Sequence, residues 1–239
     1  MNLAIIAAGE GLRLKEEGIN IPKPLVEING IPLIRRIIDI ALKNAVNSIT
    51  CIINEESEEL EKYLLTNNLS QPFNLIVKST PSSFHSLYQL SRFIKSPFLL
   101  TTTDSVFKED EFSSFLDYGI NKSDADVVLA VTDFIDDEKP LYSEVDEDSR
   151  IVGLSDQNKD YEFVTGGLYL FNKDIKKYID EAAKQGVDRL RNFLRYLLKK
   201  ELRMYAYPFT KIIDVDHLSD IKIAEEFLLV HSAKNQERK

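Results

Sequence analysis

Two glycines and two basic residues near the amino terminus have the spacing of a phosphate-binding loop. The apolar run from Leu3 to Ala8 has the length of a buried strand, and Gly9 and Gly11 follow it. Glycines let backbone N–H groups point into one concavity without interference from Cβ atoms. Arg13 and Lys23 would add positive charge where a polyphosphate would lie. The segment therefore predicts a strand that ends in a loop for a phosphorylated ligand.

Two other phosphate-binding loops are excluded by inspection. The dinucleotide fingerprint needs a third glycine where Leu14 stands, and the Walker A loop needs Gly-Lys followed by Ser or Thr. The alternative is that the glycines serve a tight turn and that the two cations are solvated. The presence of both cations, with Pro22 and Pro24 on either side of Lys23, favours a functional loop over that alternative.

This segment resembles the amino-terminal signature of the nucleotidyltransferase superfamily, which includes sugar-1-phosphate, phosphocholine and molybdenum-cofactor enzymes. The signature reads small-Ala-Gly-x-Gly-x-Arg-Leu and then Pro-Lys-Pro-Leu, and the matching residues are Ala7, Ala8, Gly9, Gly11, Arg13, Leu14, Pro22, Lys23, Pro24 and Leu25. The resemblance implies transfer of a nucleoside monophosphate from a nucleoside triphosphate to a phosphorylated small molecule, with release of pyrophosphate. It implies catalytic roles for Arg13 and Lys23, and nucleotide contacts for Ala7, Ala8, Gly9 and Gly11.

Three aspartates are candidate ligands for a divalent metal ion. Asp104 follows an apolar, β-branched strand, although an aspartate there often only caps a helix or forms a turn. Asp214 and Asp216 alternate along a second strand, so both can point to one side, while Asp216 could equally cap the last helix. In the resembled family, aspartates at the positions of Asp104 and Asp214 bind Mg²⁺, and we allow Asp216 a share. His217 stands where the family has Thr.

Because two carboxylates that share Mg²⁺ lie close together, we expect those of Asp104 and Asp214 to face one another within roughly 4–6 Å. Two ionised carboxylates at that distance repel each other. We therefore expect removal of either one to leave stability unchanged or raised.

Three further places in the sequence predict contacts with the substrates. Ser82 and Ser83 precede a helix; the resembled family has a hydroxyl-rich loop beside the nucleobase here, and simple helix capping is the alternative. Gly166 and Gly167 lie inside a strand, which indicates a bulge or a closely approaching molecule, and the family has such a segment near the acceptor. Lys211 is a candidate cation for the acceptor phosphate.

The elements that position these residues alternate between strand and helix patterns. Strands are predicted at 3–8, 48–53, 73–77, 97–103, 126–132, 141–145, 150–154, 162–171, 204–208 and 211–215, the last two closing the sheet. Helices are predicted at 33–42, 82–94, 173–184, 188–199 and 216–230, and the acidic run 55–61 is predicted to start a further helix. The order predicts an α/β protein with a Rossmann-like three-layer sandwich and a mixed, mainly parallel sheet, whose ligands bind at the carboxyl ends of the strands. We predict one domain over 1–231 and a polar tail over 232–239.

Composition narrows the classes of partner. The net charge of −9 over 239 residues argues against a nucleic-acid partner, and no apolar run approaches the roughly 18 residues of a membrane span. Cys51 is the single cysteine, for which a reducing cytoplasm is the simplest setting. The expected partners are a nucleoside triphosphate, Mg²⁺ and a phosphorylated acceptor, and a homo-oligomer stays open.

A phosphate ester is already anionic at neutral pH, so the predicted transfer needs no general base. Sugar 1-phosphates are the first choice of acceptor, with phosphocholine-like and molybdenum-cofactor acceptors as alternatives. Outside this class, the alternatives are a metal-dependent glycosyltransferase and a non-catalytic nucleotide-binding module. The glycosyltransferase would want Asp-x-Asp at the central strand, where Asp104 is followed by Ser105-Val106. The binding module would tolerate loss of a cation or a carboxylate, yet both cations (Arg13 and Lys23) and both candidate metal-binding aspartates (Asp104 and Asp214) are present.

Overall fold

The structure is a computed structural model that describes residues 1–44, 46–67, 71–135 and 138–236. The strands are β1 (Asn2–Ala7), β2 (Glu27–Ile28), β3 (Ile31–Pro32), β4 (Ser48–Ile53), β5 (Phe73–Val77), β6 (Phe98–Thr102), β7 (Ser105–Val106), β8 (Val127–Thr132), β9 (Tyr142–Val145), β10 (Ile151–Ser155), β11 (Phe163–Phe171), β12 (Met204–Phe209) and β13 (Ile213–Asp214). The helices are α1 (Leu12–Glu16), α2 (Leu33–Leu42), α3 (Glu58–Thr66), α4 (Ser83–Leu90), α5 (Glu109–Asn121), α6 (Lys176–Lys184), α7 (Leu190–Lys199) and α8 (Leu218–Gln236).

The main sheet is mixed and mainly parallel, as predicted. Strand β1 lies between β4 and β6 and is parallel to both, and β5 extends the parallel set beyond β4. Strand β11 runs antiparallel to β6 and to β8, and β12 is parallel to β8. The hairpin of β9 and β10 adds to the start of β11. Because β1 and β6 are central and parallel, the loops that follow them open at the same edge of the sheet.

Helices cover both faces of this sheet, because its strands are apolar on both sides. Along β1, Leu3 and Ile5 pack into one core cluster with α2, α3 and α5, whereas Ala4 and Ile6 pack into a second cluster with α4, α6 and α7. This alternation is the two-residue period of a strand. It gives the three layers that the sequence predicts.

Three elements differ from the sequence prediction. Residues 211–215 do not close the main sheet, because β13 pairs antiparallel with the short strand β7 in a separate sheet. The helix α5 was not predicted, although its acidic first turn and the buried side chains of Phe112, Phe115 and Leu116 form an amphipathic pattern.

The carboxyl-terminal helix is the third difference. It starts at Leu218 and continues past the predicted end at 230 as far as Gln236, so part of the predicted tail 232–239 is helical. The last three residues of that predicted tail, 237–239, lie outside the described residues. Within the described part of the chain, no helix combines the length and the apolar character that a membrane span requires.

Candidate active site

The glycine loop after β1 is shaped by close contact with Lys23. Gly11 has φ +61°, and a Cβ atom added there would lie 2.9 Å from the Cβ of Lys23. A side chain at this position would therefore be strained and would push Lys23 away. Ala8, Gly9 and Gly11 line a cavity of about 500 Å³ together with Arg13 and Lys23. Ala7, by contrast, is buried in the core at the end of β1.

Lys23 lies between two of the predicted metal-binding carboxylates. Its Nζ is 2.8 Å from Oδ2 of Asp104 and 2.5 Å from Oδ1 of Asp216. Arg13 forms an ion pair with Asp216, and its second guanidinium nitrogen lies 3.2 Å from Oε2 of Glu138. The Lys23 side chain is only 10% exposed. Both predicted catalytic cations are thus held at the wall of one cavity by acidic side chains.

This arrangement fixes the charge state of the central pair. Burial alone would lower the pKa of Lys23, but the carboxylates of Asp104, Asp214 and Asp216 outweigh it and raise that pKa. Burial opposes ionisation of Asp104, but the neighbouring Lys23 ammonium outweighs it and lowers the Asp104 pKa. Lys23 is therefore an ammonium and Asp104 a carboxylate across the neutral range.

Pairing between β7 and β13 brings Asp104 beside Asp214. Asp214 stands opposite Ser105, and the backbone N–H of Val215 donates to the carbonyl oxygen of Asp104 at 3.0 Å. The two aspartates are distant in sequence but lie in adjacent backbone segments. Asp104 is followed by a strand, so it does not cap a helix.

Asp216 does not cap the last helix either. The carboxylate of Asp220 accepts the backbone N–H groups of Asp216 and His217, at 2.9 Å and 2.6 Å. The Asp216 carboxylate is left to contact Lys23 and Arg13. Of the two roles that the sequence left open for Asp216, capping is wrong. His217 contacts two other acidic side chains, with its Nδ1 at 2.6 Å from Oε1 of Glu17 on α1 and its Nε2 at 3.5 Å from Oε1 of Glu138.

A second cavity, of about 340 Å³, adjoins the glycine-loop cavity. Its lining includes Gly166, Gly167 and Asp214. The two cavities share three lining residues, Ser83, Thr102 and Asp104. Two small molecules could therefore bind side by side and meet at Asp104.

The packing around Gly166 and Gly167 by itself requires glycine at both positions. A Cβ on Gly166 would lie 2.1 Å from Cδ1 of Ile212, and Gly167 has φ +77° with Ser105 Oγ 2.3 Å from an added Cβ. The pairing of β11 with β8 shifts register between Thr165 and Tyr169, so the glycines lie in a bulge. Both glycines line the second cavity, and their contact with an acceptor stays a prediction.

Of the remaining residues predicted to contact substrates, the two serines line one of these cavities and the lysine lines neither. Ser82 and Ser83 line the glycine-loop cavity, and neither makes a side-chain cap to α4: Ser82 Oγ contacts Nδ1 of His85, and Ser83 Oγ accepts the N–H of Leu190. Lys211 is not among the residues that line either cavity. Its Nζ lies 3.6 Å from the centre of the Phe134 ring instead.

Sequence reasoning missed two arginines at the second cavity. Arg191 bridges Oδ1 of Asp156 at 2.7 Å and the carbonyl oxygen of Lys139 at 2.8 Å, which ties α7 to the loop after β10. Arg189 also lines the cavity, and its Nε is 4.0 Å from Oδ2 of Asp188. The run Asp188-Arg189-Leu190-Arg191 has the pattern of an ordinary helix start. Only its position beside Ser83 in the folded chain indicates that its arginines belong to the candidate site.

The residues at the junction fit the Mg²⁺ ion that the sequence implies. Among the residues that the structure describes, no group of three or more His, Cys, Asp or Glu side chains could hold a metal ion. Mg²⁺, however, is commonly bound by one or two carboxylates together with substrate phosphates rather than by an all-protein cage. Asp104 and Asp214 supply such oxygens, and both line the second cavity.

The fold and this site together define an α/β protein with its candidate ligand cavities at the carboxyl ends of parallel strands. The chain belongs to the nucleotidyl transferase family, whose family model matches residues 3–229. The resemblance seen in the sequence is thereby confirmed.

Individual relatives are more distant. The chain is 25% identical over 205 residues to the bifunctional protein GlmU of Methanocaldococcus jannaschii, covering 84% of this chain and 48% of that protein. It is 23% identical over 229 residues to D-glycero-alpha-D-manno-heptose 1-phosphate guanylyltransferase of Campylobacter jejuni, covering 95% and 97%. The chain therefore spans about half the length of the first relative and nearly all of the second.

Solved structures confirm the fold. The inositol-1-phosphate CTP transferase from T. maritima superposes with a TM-score of 0.79 at 20% identity, covering 94% of this chain and 93% of that one. The Rossmann-like architecture predicted from the sequence is the architecture of this neighbour.

Proposed function

We propose that this protein transfers a nucleoside monophosphate from a nucleoside triphosphate to a sugar 1-phosphate and releases pyrophosphate. The observation that carries the proposal is the pair of cavities that meet at Asp104. One has the glycine loop and both cations, which suits a triphosphate, and the other has room for a small acceptor. A non-catalytic binding module would need only the first.

The nucleotide cavity offers charges that a triphosphate would compete for. Arg13 and Lys23 form ion pairs with Asp216, Asp104 and Glu138. A bound triphosphate would take over these cations, because phosphate oxygens form strong charge-assisted hydrogen bonds with them. Lys23 and Arg13 would then stabilise the charge that develops on the transferring phosphate and on the departing pyrophosphate.

The acceptor needs no proton removed before it attacks. A phosphate monoester carries an anionic oxygen at neutral pH, which can attack the α-phosphorus in line once it is positioned. Tyr169 lines the acceptor cavity, but burial raises the pKa of its hydroxyl to about 12, so it stays neutral and can act only as a hydrogen-bonding group. Catalysis thus consists of positioning and charge stabilisation.

Asp104 and Asp214 would hold Mg²⁺, with Asp216 free to join once a triphosphate has taken its cations. The ion supplies positive charge that neutralises phosphate oxygens. Asp104 is the only carboxylate among the three residues that line both cavities, so it is placed to orient both substrates.

Arg189 is the cation best placed for the acceptor phosphate, in preference to Lys211. It lines the acceptor cavity and precedes Leu190, whose N–H reaches Ser83 at the junction of the two cavities. Its side chain is 68% exposed, so it can reorient towards a ligand. Sugar phosphates are favoured because the heptose 1-phosphate guanylyltransferase relative acts on such a compound and matches almost the whole chain.

The deciding experiment measures pyrophosphate release across four nucleoside triphosphates and a panel of hexose and heptose 1-phosphates, inositol 1-phosphate and phosphocholine. We expect one triphosphate with one sugar 1-phosphate to give the highest rate. With that pair, Arg189→Ala should raise the KM for the acceptor at least fivefold and leave the KM for the triphosphate unchanged, whereas Lys211→Ala should change neither. Release without any acceptor, or with none of the panel, would contradict the proposal.

A further inference from the structure

A third cavity lies at the opposite edge of the main sheet from the candidate active site. It encloses about 410 Å³ among the segment after α4, the start of β6 and the start of α6. Strand β6 begins at this cavity with Phe98 and ends at the active site with Thr102. At about 3.3 Å per residue, the two places are separated by roughly 13 Å along the strand. This cavity is therefore distinct from the two that meet at Asp104.

The floor of this cavity is apolar, and its rim carries an exposed aromatic ring. Phe98, Ile175 and Ile179 are buried beneath it. Phe93, which follows α4, is 56% exposed although it is a large apolar side chain. Exposed aromatic side chains next to a cavity are a common feature of sites that stack a planar ring.

The same rim is positively charged in a protein whose net charge is −9. Arg92, Lys95 and Lys176 line the cavity and are exposed. Within the described part of the chain, none of the three forms an ion pair with a carboxylate. The one acidic residue in the lining, Asp174, uses its carboxylate to accept the N–H of Lys176 at the start of α6. Three cations and a single carboxylate thus surround an apolar hollow, so the balance of charge at its rim is positive.

We infer that this third cavity is a binding site for a small molecule that combines an aromatic ring with a phosphate group, as in a nucleoside diphosphate. The ring stacks on Phe93 above the apolar floor, and the phosphates contact Arg92, Lys95 and Lys176. The volume lies within the range of ligand pockets, about 300–1,000 Å³. Neither the apolar floor nor the cations alone would select this chemistry, but the two occur together at one hollow.

The chain has no tryptophan, which makes a specific test straightforward. Phe93→Trp keeps an aromatic ring at the rim and places the only indole of the protein there. The emission of this variant is titrated with ADP, CDP, GDP and UDP, and with the four uncharged nucleosides. We expect saturable quenching by at least one diphosphate, with the matching nucleoside at least tenfold weaker.

Two additional substitutions in the Phe93→Trp protein locate the binding. Lys176→Glu should weaken diphosphate binding at least tenfold, whereas Lys177→Glu, a neighbour on α6 outside the lining, should change it less than twofold. Lys23→Ala should leave the titration unchanged, because Lys23 belongs to the candidate active site. The inference is wrong if quenching is unsaturable, if Lys176→Glu and Lys177→Glu behave alike, or if Lys23→Ala abolishes the signal. Emission that depends on protein concentration without ligand would also overturn it, since a second copy of the chain would then cover the ring.

Discussion

Lys23 is the residue on which most of the site's electrostatics depend. Its ammonium lies between Asp104 and Asp216, so it separates two carboxylates that would otherwise face each other. The sequence led us to expect that Asp104 and Asp214 face one another, that only a metal ion would relieve their repulsion, and that removing either carboxylate would leave stability unchanged or raised. For Asp104 the structure reverses the basis of that expectation, because its removal would deprive a largely buried ammonium of a partner.

We predict that Lys23→Met lowers turnover at least tenfold, or about 1.4 kcal/mol of transition-state stabilisation. The variant should also be less stable by about 1–3 kcal/mol without metal, because Asp104 and Asp216 lose their shared cation. Added Mg²⁺ should restore more stability to this variant than to the wild type. Chemical denaturation with and without MgCl₂ checks this, with the exposed Lys15→Met on α1 as the control. Equal effects of MgCl₂ on all three proteins would contradict it.

At the scale of elements, the turn from β1 into α1 determines whether Lys23 can approach. We predict that Gly11→Ala destabilises the protein by about 1–2 kcal/mol, because alanine is strained at φ +61° and its Cβ would collide with Lys23. Triphosphate binding should weaken in the same variant as Lys23 shifts.

Substitutions at two other glycines separate the effect of backbone strain from that of the collision with Lys23. A Cβ added at Gly9 has no atom within 4 Å, so Gly9→Ala should leave stability unchanged. Gly186 has φ +75° and open space around an added Cβ, so Gly186→Ala measures the backbone strain alone. Unfolding free energies from denaturant titration compare the three. A loss in Gly11→Ala no larger than that in Gly186→Ala would mean that contact with Lys23 contributes nothing.

The connection between α1 and α8 depends on an ion pair that titrates. The carboxylate of Glu17 accepts the N–H of Leu218 and contacts His217, which together lower the Glu17 pKa below 4.5. The hydrogen bond from His217 to Glu17 raises the His217 pKa above 6.5. The stability that comes from the raised His217 pKa is fully present below the pKa of the unfolded histidine and is lost as pH rises through the folded pKa. The stability that comes from the lowered Glu17 pKa is fully present above the pKa of the unfolded glutamate and is lost as pH falls through the folded pKa.

We therefore predict that the coupling free energy between Glu17 and His217 is largest between about pH 4.5 and 6.5 and declines on both sides. The measurement is a double-mutant cycle with Glu17→Gln and His217→Gln, repeated across pH. Because both side chains reach solvent, 1 M NaCl should reduce the coupling. Coupling that stays constant from pH 5 to pH 9 would show that the pair contributes no charge-dependent stability.

At the scale of the whole molecule, both ligand cavities lie between elements that only the complete sheet brings together. A ligand that binds only the folded chain stabilises it by about 2.7 kcal/mol at a hundred times its Kd. For a chain of this size, that corresponds to a rise in Tm of roughly 5–10 °C. We predict such a shift with the preferred nucleoside triphosphate, and a much smaller one in Arg13→Ala at the same concentration. Scanning calorimetry measures both; equal shifts would mean that the nucleotide does not contact the glycine loop.

The sequence by itself determined the parts of this protein that depend on local patterns. Strands such as β4 and β5 were predicted with their observed bounds, because an apolar, β-branched run between turn residues has few other stable forms. The order of elements then gave the three layers, since parallel strands require helical crossovers. The glycine loop was recognisable because the close approach of Lys23 requires Gly11 to lack a side chain.

Only the tertiary structure decided what the charged residues contact. No local pattern places Lys23 between Asp104 and Asp216, because their contacts depend on β7 pairing with β13 across more than a hundred positions of sequence. The same holds for Arg189, which lines the second cavity because α7 packs beside Ser83. Capping by Asp216 was a sound local expectation, but its carboxylate contacts the distant cations Lys23 and Arg13 instead. Spacing along the chain predicts which groups are available, but the packing of distant segments decides which of them meet.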